Sequence, residues 1–134
     1  IINVIRWLKK NGFMVTINLM QISEIQKYEI KKISELLKKL RVNVLYLADS
    51  LGSLKPKNVF KITSLFKTYW NGDMGIHAHN NMNLALLNSL EANKNGVKWI
   101  DSTVMGMGRG PGNLLTEDIL KDFLKIRGEM IIDI

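Results

Sequence analysis

The fold is decided by residues 74–81, MGIHAHNN, in which a short apolar run ends in histidines and asparagines. A run of this length that ends in polar residues is typical of a buried strand, here predicted at residues 74–78. Three similar runs, each followed by a polar or glycine-containing turn and a helical pattern, lie at residues 14–20, 43–48 and 98–104. This alternation predicts four strand–helix units that form a parallel sheet.

Helices are predicted at residues 2–10, 81–95 and 114–126, and Gly96 is well placed to end the second of them. Pro56 stands near the start of another helix, where its missing N–H costs little. Two α/β architectures fit this order of elements: a small open doubly wound sheet, or half of a closed barrel. Periodicity does not choose between them.

The chain has 134 residues, enough for one domain but too few for a complete (β/α)₈ barrel, which needs about 250. It begins at Ile1 rather than Met, which suggests a piece of a longer product. Apolar residues make up 46% and charged residues 23%, the balance of a soluble globular protein. No apolar run approaches a membrane span and no signal peptide is apparent, so a cytoplasmic location is expected.

The net charge of +7 is compatible with binding to nucleic acid. The lysines, however, occur in scattered pairs such as Lys31-Lys32 and Lys38-Lys39. These positions fall on the outer faces of predicted helices, and no aromatic residues interleave with them. A solvated helix surface is the preferred interpretation, without a nucleic-acid or membrane partner. The absence of cysteine excludes disulfides and thiolate metal sites.

His77 and His79 are the only histidines of the chain and stand two residues apart on a predicted strand. Side chains alternate along a strand, so both imidazoles project from one face and lie close enough to share a cation. Imidazole is a common ligand of divalent metals. The alternative is a pair of hydrogen-bonded histidines near a strand end.

The segment at residues 106–113, GMGRGPGN, follows a strand and precedes a helix, so its amides are placed to hold an anion. It lacks the spacing of a dinucleotide fingerprint and of a P-loop, and a flexible surface loop is the alternative. Asn113 is suited either to cap the last helix or to bind a hard cation. Asp49 also has two possible interpretations: hydrogen bonding within its own turn, or a role in a functional site.

These residues together resemble the DRE-TIM metallolyases, a family that includes 4-hydroxy-2-oxovalerate aldolase, hydroxymethylglutaryl-CoA lyase and the isopropylmalate and homocitrate synthases. The resemblance runs from about Asn18 to Asp118, with its motifs in the family's order. They are YLADSLG at residues 46–52, GIHAHNN at 75–81, Leu84-Ala85, Asn88-Ser89, Gly96, Asp101-Ser102, GMGRG at 106–110, Gly112-Asn113 and Thr116-Glu117.

The resemblance implies that the four strands are the fifth to eighth of a TIM barrel, so that residues 1–134 form its C-terminal half. It implies a divalent cation, Mn²⁺ or Mg²⁺, that stabilises a pyruvate enolate while a carbon–carbon bond is cleaved or formed. Carried over residue by residue, His77, His79 and Asn113 match metal ligands. Two further groups of positions, Asn18 and Asp49-Ser50, match the lining of the substrate pocket.

The family's Arg-Asp-Gly motif is absent, and with it an aspartate metal ligand and an arginine that faces the enolate. The resemblance therefore implies an enzyme whose N-terminal half-barrel is missing here, and a chain that is inactive by itself. Exposed strand edges near Val15 and Trp99 predict a homo-oligomer or a partner half.

The leading functional hypothesis is an aldolase of the 4-hydroxy-2-oxovalerate type, which acts on a 2-oxo acid. One alternative is a synthase that condenses acetyl-CoA with a 2-oxo acid, because those enzymes share this half of the barrel. The alternative from another class is a non-catalytic α/β module that binds a phosphorylated ligand through the loop at residues 106–112.

Overall fold

A computed structural model describes residues 1–127 of the chain. Five α-helices and four strands make up this part, joined by turns that include short 3₁₀ segments. In chain order they are α1 (Ile2–Lys10), β1 (Thr16–Leu19), α2 (Lys27–Lys39), β2 (Val44–Asp49), α3 (Pro56–Tyr69), β3 (Asp73–Ala78), α4 (Ala85–Lys94), β4 (Trp99–Ile100) and α5 (Thr116–Arg127).

Each predicted strand and helix is found, but several boundaries differ from the prediction. The last strand, predicted at residues 98–104, is limited to Trp99–Ile100, because the chain turns into a 3₁₀ segment at Val104–Gly106. Helix α4 begins at Ala85 rather than at residue 81, because a turn precedes it in which Asn83 adopts a left-handed backbone with φ of 54°. Polar and β-branched residues do not by themselves reveal such turns.

The four strands are parallel and lie in the order β1-β2-β3-β4. This confirms the predicted parallel α/β sheet. A doubly wound sheet reverses its strand order at a switch point, whereas this order is sequential throughout. The open doubly wound alternative is therefore wrong for the described residues.

One face of the sheet is covered by the helices. Leu45, Leu47 and Ile76 are at most 1% exposed and pack against apolar side chains of three helices. Those helical side chains include Ile30, Leu37, Val59, Phe66, Ala85 and Ala92. Burying a side chain of this size contributes about 1.5–3 kcal/mol, so this layer holds the fold together.

The opposite face of the sheet carries polar and aromatic side chains and has no helix over it in the described part of the chain. The register aligns Asn18 with Tyr46, Tyr46 with Gly75, and Gly75 with Trp99 across all four strands. Asn18 and Trp99 are exposed, and Tyr46 is half-buried. We call this surface the open face, and its polar residues stand at the ends of the strands where ligands bind in parallel α/β folds.

Between residues 1 and 127, none of the helices is both long and apolar enough to cross a bilayer.

Replacing Phe66 by alanine is expected to lower the free energy of unfolding by about 3–5 kcal/mol, because the ring is fully buried beneath the sheet. Phe60→Ala is the matched control on the same helix, since the Phe60 ring is half exposed and surface changes typically cost about 0.5 kcal/mol or less. Urea unfolding followed by circular dichroism measures both. Equal losses in the two variants would contradict the assignment of the core to this face.

Candidate metal and substrate site

A cleft lies at the C-terminal ends of the strands. The cleft has a volume of about 560 Å³ and is lined by Met20, Gln21, Ser50, Leu51, His79 and Arg109. These residues come from the loops after β1, β2 and β3 and from the glycine-rich loop. In parallel α/β folds this is the position at which small molecules bind.

His77 and His79 stand on the same side of the strand, as their spacing predicts. Their ring centroids are 5.1 Å apart and the ring planes are nearly perpendicular, at 85°. Ala78, which lies between them, points to the other side of the sheet and is 1% exposed. The burial of Ala78 against the helices therefore directs both imidazoles to the open face.

Each histidine uses its Nδ1 atom in a hydrogen bond with another part of the chain. His77 Nδ1 is 3.2 Å from Oδ2 of Asp101, and His79 Nδ1 is 3.2 Å from the carbonyl oxygen of Gly112. Both partners accept hydrogen bonds, so in the neutral imidazoles the Nδ1 atoms carry the protons. This leaves the lone pairs on the Nε2 atoms, an arrangement typical of histidines that bind metals.

Asn113 lies beside His79, with which it forms an isolated antiparallel bridge. Its Nδ2 atom donates to the carbonyl of Met107 at 3.0 Å, whereas its Oδ1 atom is buried without a hydrogen-bond partner. Amide oxygens are ligands of hard cations, and a buried oxygen without a partner is costly. The helix-cap interpretation of Asn113 is wrong, because α5 begins three residues later at Thr116.

The donor set of these residues suits a divalent cation but is incomplete. Two imidazole nitrogens and one amide oxygen supply three neutral ligands. Among residues 1–127, no group of three or more His, Cys, Asp or Glu side chains is arranged to hold a metal ion. The anionic ligand that a hard cation requires would therefore come from outside the described residues.

The three positions expected to line the substrate pocket do not share one environment. Asn18 is exposed on the open face, and Ser50 lines the cleft, where its hydroxyl oxygen accepts the Gln21 amide at 3.0 Å. Asp49 projects to the helix side of the sheet and is 1% exposed. Its carboxylate accepts the amides of Ser53 and Leu54 at 3.1 and 3.0 Å, so Asp49 holds the loop that carries Ser50.

Two residues of the open face were given no role by the sequence analysis, Tyr46 and Asp101. Burial, followed by the charge of Asp101 and a hydrogen bond to it, raises the pKa of Tyr46 to about 12. Asp101 in turn accepts from His77. Tyr46 and Asp101 are 55 positions apart in the chain, and only the pairing of the strands brings them together.

Four of the seven backbone amides in the glycine-rich loop, residues 106–113, donate hydrogen bonds to carbonyl groups of the chain. The amide of Gly106 donates to Thr103, that of Met107 to Val104, that of Gly112 to Arg109 and that of Asn113 to Gly106. Met105 donates to the carboxylate of Glu117, whose pKa is lowered by backbone hydrogen bonds, its own amide first and that of Met105 second. These amides are not available to cradle a phosphate. The amides of Gly108, Arg109 and Gly110 have no such partner among the described residues, so the phosphate-binding alternative is left with these three.

Comparison with known proteins gives a consistent result. A family model described as HMGL-like matches residues 1–130. The 4-hydroxy-2-oxovalerate aldolase 2 of Rhodococcus jostii is 29% identical over 89% of this chain and 35% of its own length. The 4-hydroxy-2-oxovalerate aldolase of Pelotomaculum thermopropionicum is 32% identical over 94% of this chain and 37% of its own length. The chain thus spans about a third of the length of these curated relatives.

A solved structure shares the fold. The N-terminal domain of a candidate aldolase from Bacteroides vulgatus superposes with a TM-score of 0.85 at 32% sequence identity. The superposition covers 98% of this chain and 44% of that one.

Gly112→Ala is expected to destabilise the glycine-rich loop, because a Cβ atom there would collide with the carbonyl oxygen of Gly106. Gly110→Ala is the matched control: both glycines have positive φ, of 80° and 60°, but a Cβ at Gly110 meets nothing within 4 Å. The collision should cost about 1–3 kcal/mol more in urea unfolding than the control does. Indistinguishable losses would show that the loop does not pack as described.

Proposed function

The chain belongs to the HMGL-like family, and on that premise we propose that it is part of an aldolase that cleaves or forms a carbon–carbon bond next to a 2-oxo acid. The observation that carries the proposal is the group formed by His77, His79 and Asn113, of which His79 lines the cleft. It leaves two Nε2 lone pairs and one partnerless amide oxygen for a cation. The aldolase names of the two relatives support the reaction class.

We propose further that residues 1–134 form the C-terminal half of a TIM barrel, with β1 to β4 as its fifth to eighth strands. A sequential parallel order with the helices on one face is the pattern of a barrel wall. In the described residues β1 and β4 each have one neighbouring strand, so both outer edges can accept another. The remaining strands would come from the missing N-terminal half, or the edges would meet in a homo-oligomer.

A divalent cation, Mn²⁺ or Mg²⁺, fits the donors of His77, His79 and Asn113. When bound, it would supply positive charge beside the oxygen on which the enolate develops. The chain's own part is to hold these ligands still. Hydrogen bonds fix both Nδ1 atoms, and the Nδ2 atom of Asn113 is fixed by Met107.

The substrate would be oriented by polar groups of the cleft. The Ser50 hydroxyl accepts from the Gln21 amide at 3.0 Å and donates to the Met20 sulfur at 4.0 Å. Sulfur is a weak acceptor, so a carbonyl or carboxylate oxygen of a 2-oxo acid would replace it as the partner of the Ser50 proton. Asn18 offers an amide on the same open face. Arg109 lines the cleft beside His79 and brings a positive charge to a site for an anionic substrate. Asp49 contributes indirectly, because it shapes the loop that presents Ser50.

Because the Arg-Asp-Gly motif is absent, the chain alone is expected to lack activity. The test therefore uses the protein encoded by the whole reading frame, supplied with Mn²⁺ and a 4-hydroxy-2-oxo acid, with pyruvate release as the readout. His79→Ala and Asn113→Ala should lower kcat/KM by roughly 100-fold or more, because a metal ligand supports several kcal/mol of charge stabilisation.

Asn58→Ala, an exposed asparagine on α3, is the control for Asn113→Ala and should leave the activity unchanged. Retention of full, metal-dependent activity in His79→Ala would refute the ligand assignment. Absence of pyruvate release from every 4-hydroxy-2-oxo acid, together with turnover of acetyl-CoA and a 2-oxo acid, would instead favour the synthase.

A further inference from the structure

Tyr46, Asp101 and His77 form a group on the open face of the sheet, drawn from β2, the turn after β4, and β3 respectively. We propose that Tyr46 and Asp101 are positioning residues that fix the tautomer of His77, keeping its proton on Nδ1 and its lone pair on Nε2. The consequence for metal binding rests on the proposed function, whereas the tautomer itself does not.

The first step concerns the path of the Tyr46 ring. Tyr46 on β2 is paired in register with Gly75 on β3. A Cβ atom on Gly75 would lie 2.5 Å from the Cδ1 and Cε1 atoms of Tyr46, so the ring crosses directly over the glycine. Any side chain at position 75 would block this route. The ring thereby passes over β3 toward the side on which β4 and Asp101 lie.

The second step concerns the Asp101 carboxylate, which contacts His77 and lies near Tyr46. The Asp101 amide donates to the carbonyl of Ile76 at 3.0 Å, which anchors the residue beside β3 after β4 has ended. Its Oδ2 atom lies 3.2 Å from His77 Nδ1. The Tyr46 hydroxyl lies near the same carboxylate: burial, and after it the charge of Asp101, raises the pKa of Tyr46 to about 12. The Tyr46 side chain beside the carboxylate therefore limits the orientations that the carboxylate can take.

The third step concerns the tautomer. An ionised carboxylate only accepts hydrogen bonds, so a neutral His77 must present an Nδ1–H to it. The proton then cannot reside on Nε2, and the lone pair is directed away from Asp101. His79 reaches the same tautomer through a different acceptor, the Gly112 carbonyl. The two imidazoles therefore have the same tautomer, but a different acceptor holds each of them. A substitution of Asp101 can for this reason change the tautomer of His77 without changing that of His79.

The tautomer can be measured directly in the 134-residue chain without metal. Long-range ¹H–¹⁵N correlation spectra distinguish a protonated imidazole nitrogen from one with a free lone pair. With two histidines in the chain, a His79→Gln variant suffices to assign the signals. At pH about 8.5, where histidine is ordinarily neutral, wild-type His77 is expected to show a protonated Nδ1.

Four variants perturb the group of Tyr46, Asp101 and His77, called the relay below, at three different positions. Asp101→Ala removes the acceptor and should shift His77 toward the Nε2–H tautomer, with Asp101→Asn intermediate because its amide oxygen still accepts. Tyr46→Phe removes the hydroxyl near Asp101 and should shift the ratio less. Gly75→Ala leaves all three functional groups intact but blocks the ring, and should reproduce the effect of Tyr46→Phe.

Two matched controls lie away from the relay. Asp73→Ala removes a carboxylate at the opposite end of β3 that is bonded to Lys98, and Tyr69→Phe removes a hydroxyl on α3. Both should leave the His77 tautomer as in the wild type. An unchanged Nδ1–H in Asp101→Ala, or equal shifts in Asp101→Ala and Asp73→Ala, would overturn the proposal.

A second measurement connects the tautomer to metal binding. Calorimetric titration of the protein encoded by the whole reading frame with Co²⁺ should show an affinity about 10–100-fold lower for Asp101→Ala than for the wild type, with Asp73→Ala unchanged. An affinity of Asp101→Ala equal to the wild type would overturn the link between the relay and the cation. If the wild type bound no Co²⁺, the proposed metal site would fail, while the tautomer measurement would still decide the role of Tyr46 and Asp101.

Discussion

The parallel register between β2 and β3 is the constraint on which both the core and the site depend. It pairs Leu47 with Ile76 on the helix side and Ala48 with His77 on the open face. A slip of one residue would exchange the two faces of one strand, placing imidazoles against the helices and isoleucine on the open face. The apolar side chains therefore enforce the register, and the register in turn places the histidines. Stability of the core and geometry of the site are not separable in this sheet.

Small residues on the open face make room for the large polar ones. Gly75 leaves space for the ring of Tyr46, and Ala48 is the in-register neighbour of His77. Glycine weakens a strand because it adds conformational entropy and no packing, so its presence at position 75 has a local cost. The glycine is required at this position because the ring of Tyr46 crosses over it, which brings the hydroxyl from β2 over β3 toward Asp101. The aromatic ring also covers backbone that would otherwise be bare.

Features that depend on local patterns were predictable from the sequence, whereas those that depend on distant contacts were not. The alternation of strands and helices, and the shared face of His77 and His79, follow from periodicity within a few residues. The closeness of Asn113 to His79 came from family resemblance, because the contact joins segments 34 positions apart. The choice of sheet type required the strand order itself, since periodicity is the same in open and closed sheets.

The contact of Asp101 with His77 and its closeness to Tyr46 could not be predicted from the sequence for a related reason. Tyr46 fits an apolar strand pattern, so nothing in the sequence sets it apart from its neighbours, and Asp101 looks like an ordinary turn residue after β4. Asp49 is a different case: its position favoured local turn bonding, whereas the family resemblance implied the lining of the pocket, and in the structure its carboxylate accepts two loop amides. The local sequence indicates where polar side chains lie along the chain. Only the fold shows which of them already have hydrogen-bond partners within the protein.

The distribution of charge around the histidines explains why the group is incomplete by itself. Asp101 is the carboxylate that contacts this pair: it accepts from Nδ1 of His77, and its charge adds to burial in raising the pKa of the nearby Tyr46 hydroxyl. It can make the imidazole a better electron donor, but it does not itself face the Nε2 side. The direct donors are then all neutral, and a hard divalent cation bound by neutral groups alone is held weakly. An anion bound directly to the cation, from the substrate or from a further strand, would supply the negative charge that the neutral ligands lack. Asp101 has a different role, because it orients the His77 imidazole. The two anions would therefore complement each other.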